Sequence, residues 1–554
     1  MAEKRSSNNN FIMQAGILAA AGIISRIIGL LYRSPLHSVI GSAGLGYYQE
    51  AYSYYTIVLL ISSYSIPSAI SKVIAQKLAV KEYRNAHRIF KCALVYVLVV
   101  GSIASLFLFF GAGLFVDQAA IPVLRTFAPT IFVYGILGVL RGYFQAHKSM
   151  VQTSVSQILE QIANAVVSVG AAYLMIQSVM GTLEFPTVDS DKITRAVTGA
   201  VGSALGTGIG VVVALLFMLG IYALNRNMIQ RRIQRDRHKT VDSYGAIIKM
   251  ITLVVTPFIL STAINNLSAS VNTKIYKSIY PDWRNIDKLI INDNWGLFAG
   301  QAQTISNIPV AFASAMSAAM MPAVAQLIAA KDLKGARKKI SLAVKTTMIL
   351  SIPCAMGVLV LAKPITNLLF TSNSETELAF AAKMLMALSL SVVFYALSTL
   401  NSTILQGLGK VNTPIRNAAI ALVIQTVTAL GLLFYTDMDL YSIAVANTLY
   451  SGIMCALNQW SVRRAIRYRQ EKVRTFFIPF LASCFMGAGA WAVYEGVLLM
   501  TESMTIAVLP ALGVAVIIYF VMLILMRGVT EQELRGFPKG YLLVKVAKKC
   551  RLMK

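Results

Sequence analysis

The chain is poor in charged residues, which make up 13% of its 554 residues, while 56% are apolar. A soluble domain carries roughly a quarter charged residues, so an ordinary soluble protein is excluded. Stretches of roughly 20 apolar residues, enough to cross about 30 Å of hydrocarbon as a helix, recur along the whole sequence. Strands of a membrane barrel would give shorter, alternating segments. The composition therefore predicts an all-α polytopic membrane protein.

Several chemical features are also scarce. The five cysteines show no C-x-x-C spacing, which argues against a disulfide framework and a cysteine metal site. No G-x-x-x-x-G-K-[ST] loop occurs, so ATP is not expected to drive the protein. No cluster of carboxylates marks a catalytic or metal site at a membrane face. We predict a protein that is not an enzyme, with no catalytic residues, no metal and no cofactor.

The apolar stretches predict fourteen transmembrane helices. They cover residues 11–31, 47–71, 89–116, 121–141, 153–180, 197–224, 247–273, 295–330, 340–361, 378–405, 413–435, 440–462, 476–499 and 505–526. Lys4 and Arg5 precede the first stretch, as in a signal peptide, but this stretch runs to Leu31, too far for a signal core. We predict an uncleaved first helix.

Acidic residues are few, 23 against 50 lysines and arginines, and the net charge is +27. With the N-terminus inside, most basic residues fall in loops on the cytoplasmic side, and most acids fall on the other side. This positive-inside asymmetry predicts that both termini are cytoplasmic and that the number of spans is even. The basic clusters at 231–237 and 463–469 then serve as topology determinants that can touch anionic headgroups, and nucleic acid is not an expected partner.

Two short sequences recur six predicted helices apart. Residues 81–88 read KEYRNAHR and residues 331–338 read KDLKGARK, each after a proline, Pro67 or Pro322. Residues 144–148 read FQAHK and residues 405–410 read LQGLGK, with one residue inserted. Because six is an even number of helices, the two halves would insert with the same orientation, as parallel repeats.

The repeat predicts two six-helix lobes related by a pseudo-two-fold axis, followed by two further helices. We expect an N-lobe with its basic linker at residues 1–243, a C-lobe at 244–462, and a final segment at 463–554. In transporters built from paired repeats, the substrate site lies between the halves near the membrane midplane.

Several predicted helices carry polar residues on one face at helical spacing. The residues chosen as candidate site positions are Gln157, Glu160 and Asn164 in the fifth span, Asn265 and Asn272 in the seventh, and Gln303 and Asn307 in the eighth. Such stripes can simply join helices, at about 0.6 kcal/mol per hydrogen bond. For the face around Glu160 we favour a wet cavity.

The first helix carries the most informative charge, Arg26, because a cation inside a membrane protein usually marks a path for something negative. Arg33 lies seven residues further on, and Gly22 and Gly29 leave room beside the two arginines. An arginine fork matches two phosphate oxygens. Arg33 could equally snorkel to the membrane surface, and Arg125 could be a third contributor or a surface anchor.

Glu160 is the one acid that we place well inside a predicted span. It could be a structural counter-ion for an arginine, a proton carrier or a neutral buried acid. The sequence leaves these three roles open.

The motifs resemble one known group, the polysaccharide-exporter family. They are SRIIGLLYR at 25–33, GSAGLG at 41–46, PSAISK at 67–72 and RGYFQ at 141–145. Within that family the chain looks most like the branch of stage V sporulation protein B and the MurJ-type lipid II flippases. The resemblance implies two lobes around a central cavity that turns a lipid-linked sugar headgroup from inside to outside.

In that branch, cationic residues of the cavity are thought to grip the diphosphate of the substrate. The first arginine of the Ser-Arg-x-x-Gly motif corresponds to Arg26. Arg33 corresponds only loosely, because Tyr32 stands at the strict spacing. A further cationic position falls near Ser71 or Lys72, and the family's arginine in the eighth span is absent around Gln303.

We therefore predict a flippase for a lipid-linked oligosaccharide, with the peptidoglycan precursor lipid II as first candidate. Its partners would be an undecaprenyl-type lipid-linked glycan, membrane lipids and cell-wall synthesis proteins, and we expect a monomer. The membrane potential, about 2.3 kcal/mol per charge per 100 mV, favours outward movement of an anion. The alternatives are a teichoic, capsular or spore-cortex intermediate, a cation-coupled multidrug exporter, and a membrane glycosyltransferase.

Overall fold

A computed structural model of the chain describes residues 20–531, apart from 65, 148, 183, 187, 235, 237–241, 330 and 468–469, and also residues 545 and 548. Within the helices, the structure describes the backbone but not the side chains of residues 64, 68–69, 79, 253–265, 315, 318–319, 321–323, 325–326 and 329. The described residues form helices and their connections, without a β-strand.

Eleven helices make up the chain as far as residue 295. They are α1 (Ala20–Leu31), α2 (Arg33–Leu59), α3 (Ile66–Ala79), α4 (Tyr83–Phe110), α5 (Ala112–Phe115), α6 (Ile121–Ala146), α7 (Val151–Met180), α8 (Asp189–Gln234), α9 (Tyr244–Lys274), α10 (Tyr280–Arg284) and α11 (Lys288–Trp295). Two π-helical segments, Leu60–Tyr64 and Ile275–Ile279, and one 3₁₀ turn, Gln118–Ala120, lie between them.

Eight helices follow. They are α12 (Gln303–Ala329), α13 (Leu333–Val360), α14 (Ala362–Leu369), α15 (Glu375–Gly407), α16 (Asn412–Tyr435), α17 (Leu440–Ile466), α18 (Ile478–Thr501) and α19 (Met504–Leu525). The π-helical segments Gly296–Ala302 and Val473–Phe477 precede α12 and α18.

Ten helices among the described residues are long and apolar enough to cross a membrane, which confirms the predicted all-α membrane class. The predicted number of fourteen spans stays a prediction. The contacts divide the chain into two compact units. Unit 1 comprises Met1–Gly300 with Ala429–Leu440, and unit 2 comprises Gln301–Thr428 with Tyr441–Lys554.

The segment predicted to connect the first two spans is itself helical. It forms the beginning of α2, which bends at Gly41, where φ is 71° and ψ is 179°. This positive φ favours glycine because it carries no Cβ. Further along, the predicted second span is interrupted by the π-helical segment before Pro67. Proline lacks an amide hydrogen and its ring clashes with the carbonyl four residues earlier, which explains the local rearrangement.

The first sequence repeat folds into the same turn in both units. Lys81 and Lys331 both have a left-handed backbone, with φ of 62° and 57°. The next residue in each case, Glu82 or Asp332, donates its amide hydrogen to the carbonyl five residues earlier, at 3.0 and 2.9 Å. The equal turns are what a duplicated sequence predicts.

The second repeat also ends two helices in the same way. The amide of Ser149 donates to Phe144 at 3.2 Å, and that of Lys410 donates to Leu405 at 2.9 Å. Both bonds span five residues, as at many helix C-termini. Lys410 therefore occupies the position in its turn that Ser149 occupies in the other turn. Aligned in this way, the two sequences match without the inserted residue that the sequence comparison assumed.

Glycines bring α7 and α8 into close contact inside unit 1. A Cβ at Gly202 would lie 2.6 Å from the Cα of Ala172, and one at Gly210 would lie 2.6 Å from the carbonyl oxygen of Glu160. Small residues at such spacing let two membrane helices approach closely. The polar face of α7 is thereby set against α8 along part of its length.

Candidate functional site

Arg26 is an exposed cation on α1. Its side chain is solvent-accessible, and it makes no hydrogen bond or ion pair with any described residue. α1 ends at Leu31, but Tyr32 keeps right-handed helical angles, with φ of −72° and ψ of −16°. The chain therefore enters α2 almost without a break, which roughly preserves the seven-residue spacing to Arg33.

The exposed apolar side chains of α1 point away from Arg26. Ile24, Ile27 and Leu31 are exposed and lie within one arc of the helix. At about 100° per residue, Arg26 is rotated from each of them by about 100–160°. The guanidinium therefore does not belong to the apolar stripe of this helix.

Arg33 is half-buried and partly engaged. Its guanidinium donates a hydrogen bond to the carbonyl oxygen of Gly300 at 3.0 Å. Tyr52, on the next part of α2, lies close enough to Arg33 and Glu160 for the charge of each to act on its hydroxyl. Arg33 and Glu160 thus border the same region of unit 1.

Glu160 forms an ion pair with Arg141, an arginine of α6. The distance from the Arg141 guanidinium to the carboxylate is 2.7 Å, and the two side chains are 4% and 15% exposed. Arg141 also donates through Nε to the hydroxyl of Ser156 at 2.9 Å. Of the three roles that the sequence leaves open, this geometry fits that of a structural counter-ion.

Asn164 is tied into the contact between α7 and α8. Its side-chain oxygen accepts hydrogen bonds from Ser168 at 2.8 Å and from Thr207 at 3.4 Å. The hydroxyl of Tyr48 lies 3.2 Å from that of Thr207. These bonds join helices, as polar stripes in membrane proteins often do.

Two glutamines complete this face of α7. Gln157 is half-buried, and its side-chain oxygen has no partner among the described residues. Gln161 faces α1, because a Cβ at Gly29 would lie 3.6 Å from its side-chain oxygen. The structure therefore brings α1 together with the polar face of α7.

The remaining predicted positions lie elsewhere. The side chain of Asn265 is outside the described residues, and Asn272 is buried in α9. Gln303, half-buried, and Asn307, exposed, belong to α12 of unit 2. Their part in a common site with Arg26 stays a prediction.

Arg125 packs on the ring of Phe109. Its guanidinium carbon lies 5.5 Å from the ring centre, and its Nε donates to the carbonyl of Phe109 at 3.2 Å. The geometry fits the surface anchor, the second of the two roles that the sequence leaves open.

Sequence reasoning missed a second buried ion pair, between Glu50 of α2 and Lys277 of the π-helical segment after α9. Both side chains are 1% exposed. The amide of Asp117 also donates to the Glu50 carboxylate at 3.2 Å, and the Lys277 ammonium lies 5.0 Å from the ring centre of Tyr47. The only sequence signal was an acid just inside the predicted second span.

Unit 2 contains an apolar groove of about 1000 Å³ formed by α13, α15 and the start of α18. Its walls include Ile352, Leu390, Phe476 and Phe480, and Lys472 stands among them as the charged member. The chemistry of the groove suits a hydrocarbon chain with an anionic end.

The long apolar helices and the paired turns define a polytopic helical membrane protein. The solved structure of the lipid II flippase MurJ in an inward closed conformation matches 91% of this chain and 97% of that chain, with a TM-score of 0.62 and 16% identity. An inward-facing multidrug resistance MATE transporter of the MOP superfamily matches 80% of this chain and 94% of that chain, with a TM-score of 0.64 and 16% identity.

The chain belongs to the lipid II flippase MurJ family, whose sequence model matches residues 91–512. It is 24% identical over 457 residues to the lipid II flippase MurJ of Bacillus subtilis (strain 168), covering 79% of this chain and 81% of that protein. It is 21% identical over 542 residues to stage V sporulation protein B of the same organism, covering 96% and 98%. The family resemblance read from the motifs is confirmed.

Proposed function

We propose that this chain moves a lipid-linked oligosaccharide, with lipid II as the first candidate, across a bacterial plasma membrane, and that Arg26 grips the diphosphate. Family membership supports the transport of a lipid-linked glycan. The assignment of the grip to Arg26 depends on one observation, which is the contrast between two arginines of unit 1, Arg26 and Arg141.

Those two arginines differ in their partners. Arg141 is buried and neutralised by Glu160 at 2.7 Å, whereas Arg26 is exposed and has no ionic partner among the described residues. A cation in a membrane helix is costly and is normally paired or directed to a water-filled space. Of these two, Arg26 is therefore the one that is free to bind an anionic ligand.

The neighbours of Arg26 are suited to a bulky headgroup. Gly22 and Gly29 share its side of α1, and no heavy atom lies within 4 Å of a Cβ built on Gly22. An arginine fork can contact two oxygens of a diphosphate. Arg33 would add a second cation, and the amides of Gln157 and Gln161 would hydrogen-bond the sugar.

The apolar groove of unit 2, taken by itself, has the chemistry of a site for a polyprenyl chain. A lipid-linked substrate keeps its tail in an apolar environment, since each exposed CH₂ costs about 0.8 kcal/mol. The groove has a volume of about 1000 Å³ and is lined mainly by aliphatic and aromatic side chains.

Other members of the substrate class stay candidates, since teichoic, capsular and spore-cortex intermediates share the diphosphate and the tail. The multidrug alternative has less support. A cation-coupled drug exporter needs an available acid in its cavity, and Glu160 is already neutralised by Arg141. The structural similarity to the multidrug resistance MATE transporter, at 16% identity, concerns the fold and not the substrate.

The test is complementation of a cell depleted of its own lipid II flippase. The wild-type gene should restore growth, Arg26→Ala should abolish rescue, and Arg26→Lys should restore it partly because lysine keeps the charge without the fork. Arg125→Ala is the matched control, since Arg125 packs on Phe109, and it should rescue fully. Membrane levels of each variant are measured by immunoblot.

Binding measurements on the purified protein test the role of Arg26 separately from the identity of the substrate. Lipid II should bind better than undecaprenyl monophosphate by about tenfold, and Arg26→Ala should remove that difference. Full rescue by Arg26→Ala would refute the grip. Failure of the well-expressed wild type to rescue would refute lipid II as the substrate and direct the search to another lipid-linked glycan.

A further inference from the structure

A second cavity lies in unit 1 at the ends of α4, α6 and α8, the side that carries the basic loops and is expected to be cytoplasmic. Its volume is about 210 Å³. α8 has 46 residues, or about 69 Å, which exceeds the roughly 30 Å of hydrocarbon. The last turns of α8 therefore extend past the membrane and form one wall of this cavity.

The polar side chains of the cavity are cationic or neutral. Arg232 and Asn225 come from α8, His87 comes from α4, and His147 and Gln152 come from the ends of α6 and α7. No aspartate or glutamate is among the described residues that line it. Such a set favours an anionic ligand.

The acids near this end of unit 1 are already engaged. Lys77 contacts Glu82 at 2.9 Å and Asp242 at 2.7 Å. The backbone amide of Arg84 donates to Asp236 at 2.7 Å. Arg232 makes no ion pair with any described residue, so its charge is left for a ligand.

Each imidazole packs against an aromatic ring. The ring centre of His147 lies 4.6 Å from that of Tyr143, and the ring centre of His87 lies 6.0 Å from that of Phe90. His147 donates from Nδ1 to the carbonyl of Tyr143 at 2.9 Å, which leaves Nε2 for a ligand. Nδ1 of His87 is buried and has no hydrogen-bond partner among the described residues.

We propose that this cavity binds a phosphate-bearing ligand through Arg232, His147 and His87, and that this site is separate from the one for the transported glycan. Pockets that bury a drug-sized molecule measure about 300–1,000 Å³. A cavity of about 210 Å³ fits a phosphate with a small polar group, such as a glycerol phosphate, and is too small for a nucleotide. The ligand is either a soluble phosphate ester or the headgroup of an inner-leaflet lipid.

Binding of the anion is coupled to a proton. Burial lowers the pKa of the His147 imidazole, the nearby charge of Arg232 lowers it further, and the hydrogen bond to Tyr143 opposes this. A phosphate close to Nε2 favours the protonated imidazole. The other titratable groups that line the cavity, besides Arg232, are His87, Tyr83 and Tyr143. Affinity should therefore rise as the pH falls.

The test is calorimetry on the full-length protein in detergent, with glycerol 1-phosphate as the soluble probe and dihexanoyl phosphatidylglycerol as the lipid probe. Arg232→Gln should weaken binding about tenfold or more, because a charge-assisted hydrogen bond is lost. Arg231→Gln is the matched control. It removes the same charge from the adjacent position, which does not line the cavity, and should leave affinity within about threefold.

The pH profile is the second measurement. Affinity of the parent should increase from about pH 7.5 to about pH 6, and His147→Asn should flatten this increase while keeping a donor for the Tyr143 carbonyl. Competition between glycerol 1-phosphate and dihexanoyl phosphatidylglycerol shows which of the two binds more tightly, and so whether the ligand is a soluble ester or a lipid headgroup. Absence of binding by both probes at millimolar concentration, or equal weakening by Arg231→Gln and Arg232→Gln, would overturn the proposal.

Discussion

Arg141 and Glu160 join α6 to α7 through an ion pair of 2.7 Å. A pair with so little solvent contact depends on both partners, since removal of one leaves an uncompensated charge. Arg141 also donates to Ser156, so its guanidinium holds two successive turns of α7. The acid on this face is thereby paired with a cation that a second bond also holds in place.

Arg141→Gln should lower the free energy of unfolding by about 3–5 kcal/mol, because Glu160 then lies in a poorly solvated place without its cation. The double variant Arg141→Gln with Glu160→Gln should recover much of that loss. Unfolding in detergent of both single variants and the double variant gives the coupling energy. Additive losses would contradict the pair, and Arg125→Gln should change stability by no more than about 0.5 kcal/mol.

The pair between Glu50 and Lys277 predicts an incomplete rescue. Glu50→Lys alone places two cations together and should prevent accumulation of folded protein. The charge-swapped double variant, Glu50→Lys with Lys277→Glu, restores the attraction. It does not restore an acceptor for the Asp117 amide, which now meets a lysine. We expect a folded double variant with an apparent Tm below that of the parent; a double variant as stable as the parent would show that the amide bond contributes nothing.

The class of protein could be read from the sequence because apolar runs of membrane length leave few alternatives. The repeated turns could also be read, since Lys81-Glu82 and Lys331-Asp332 carry their own local geometry. Arg26 could be selected as a candidate because a lone cation inside an apolar run stands out, and its role stays a prediction. Each of these signals is local in the chain.

The partners of the polar residues could not be read in the same way. Lys277 lies 227 residues from Glu50, and nothing in either neighbourhood indicates the other. Asn164 and Glu160 share one stripe, yet Asn164 bonds toward α8 and Glu160 bonds to Arg141 of α6. The periodicity of the sequence shows which residues share one face of a helix. Which helix that face contacts is decided by packing across the whole unit, which the local sequence does not reveal.

The close contact of α7 with α8 predicts that Gly202 tolerates no side chain. Gly202→Val would place a methyl group against the backbone of Ala172, and overpacking of this kind costs about 1–3 kcal/mol. Gly220→Val on the same helix is the control, because no heavy atom lies within 4 Å of its added Cβ. Fluorescence-detected size exclusion after heating compares the two; equal behaviour would show that α7 and α8 are not in contact at Gly202.

The burial of Asp439 leads us to expect that the free energy of unfolding increases in mild acid. Burial raises the pKa of its carboxyl above the ordinary value of 3.8, and the hydroxyls of Tyr276 and Tyr280 oppose that rise. A raised folded-state pKa means that the folded state binds the proton more tightly, so stability increases as the pH falls toward 3.8. Asp439→Asn should be more stable than the parent at neutral pH and should lose this part of the pH dependence. Asp437→Asn, at a side chain 96% exposed, should keep it.

The two left-handed lysines give a prediction that tests the repeat itself. Lys81 and Lys331 have φ of 62° and 57°, a conformation that costs a residue with a Cβ about 1–2 kcal/mol. Lys81→Gly and Lys331→Gly should each stabilise the protein, by up to about 1 kcal/mol after the entropy lost by glycine. Lys338→Gly, inside α13, should instead destabilise it by a similar amount. Chemical unfolding measures the free energy of unfolding of the three variants. If the turns are duplicated, Lys81→Gly and Lys331→Gly should change it in the same direction. Changes in opposite directions would mean that the two turns are similar in shape but not equivalent.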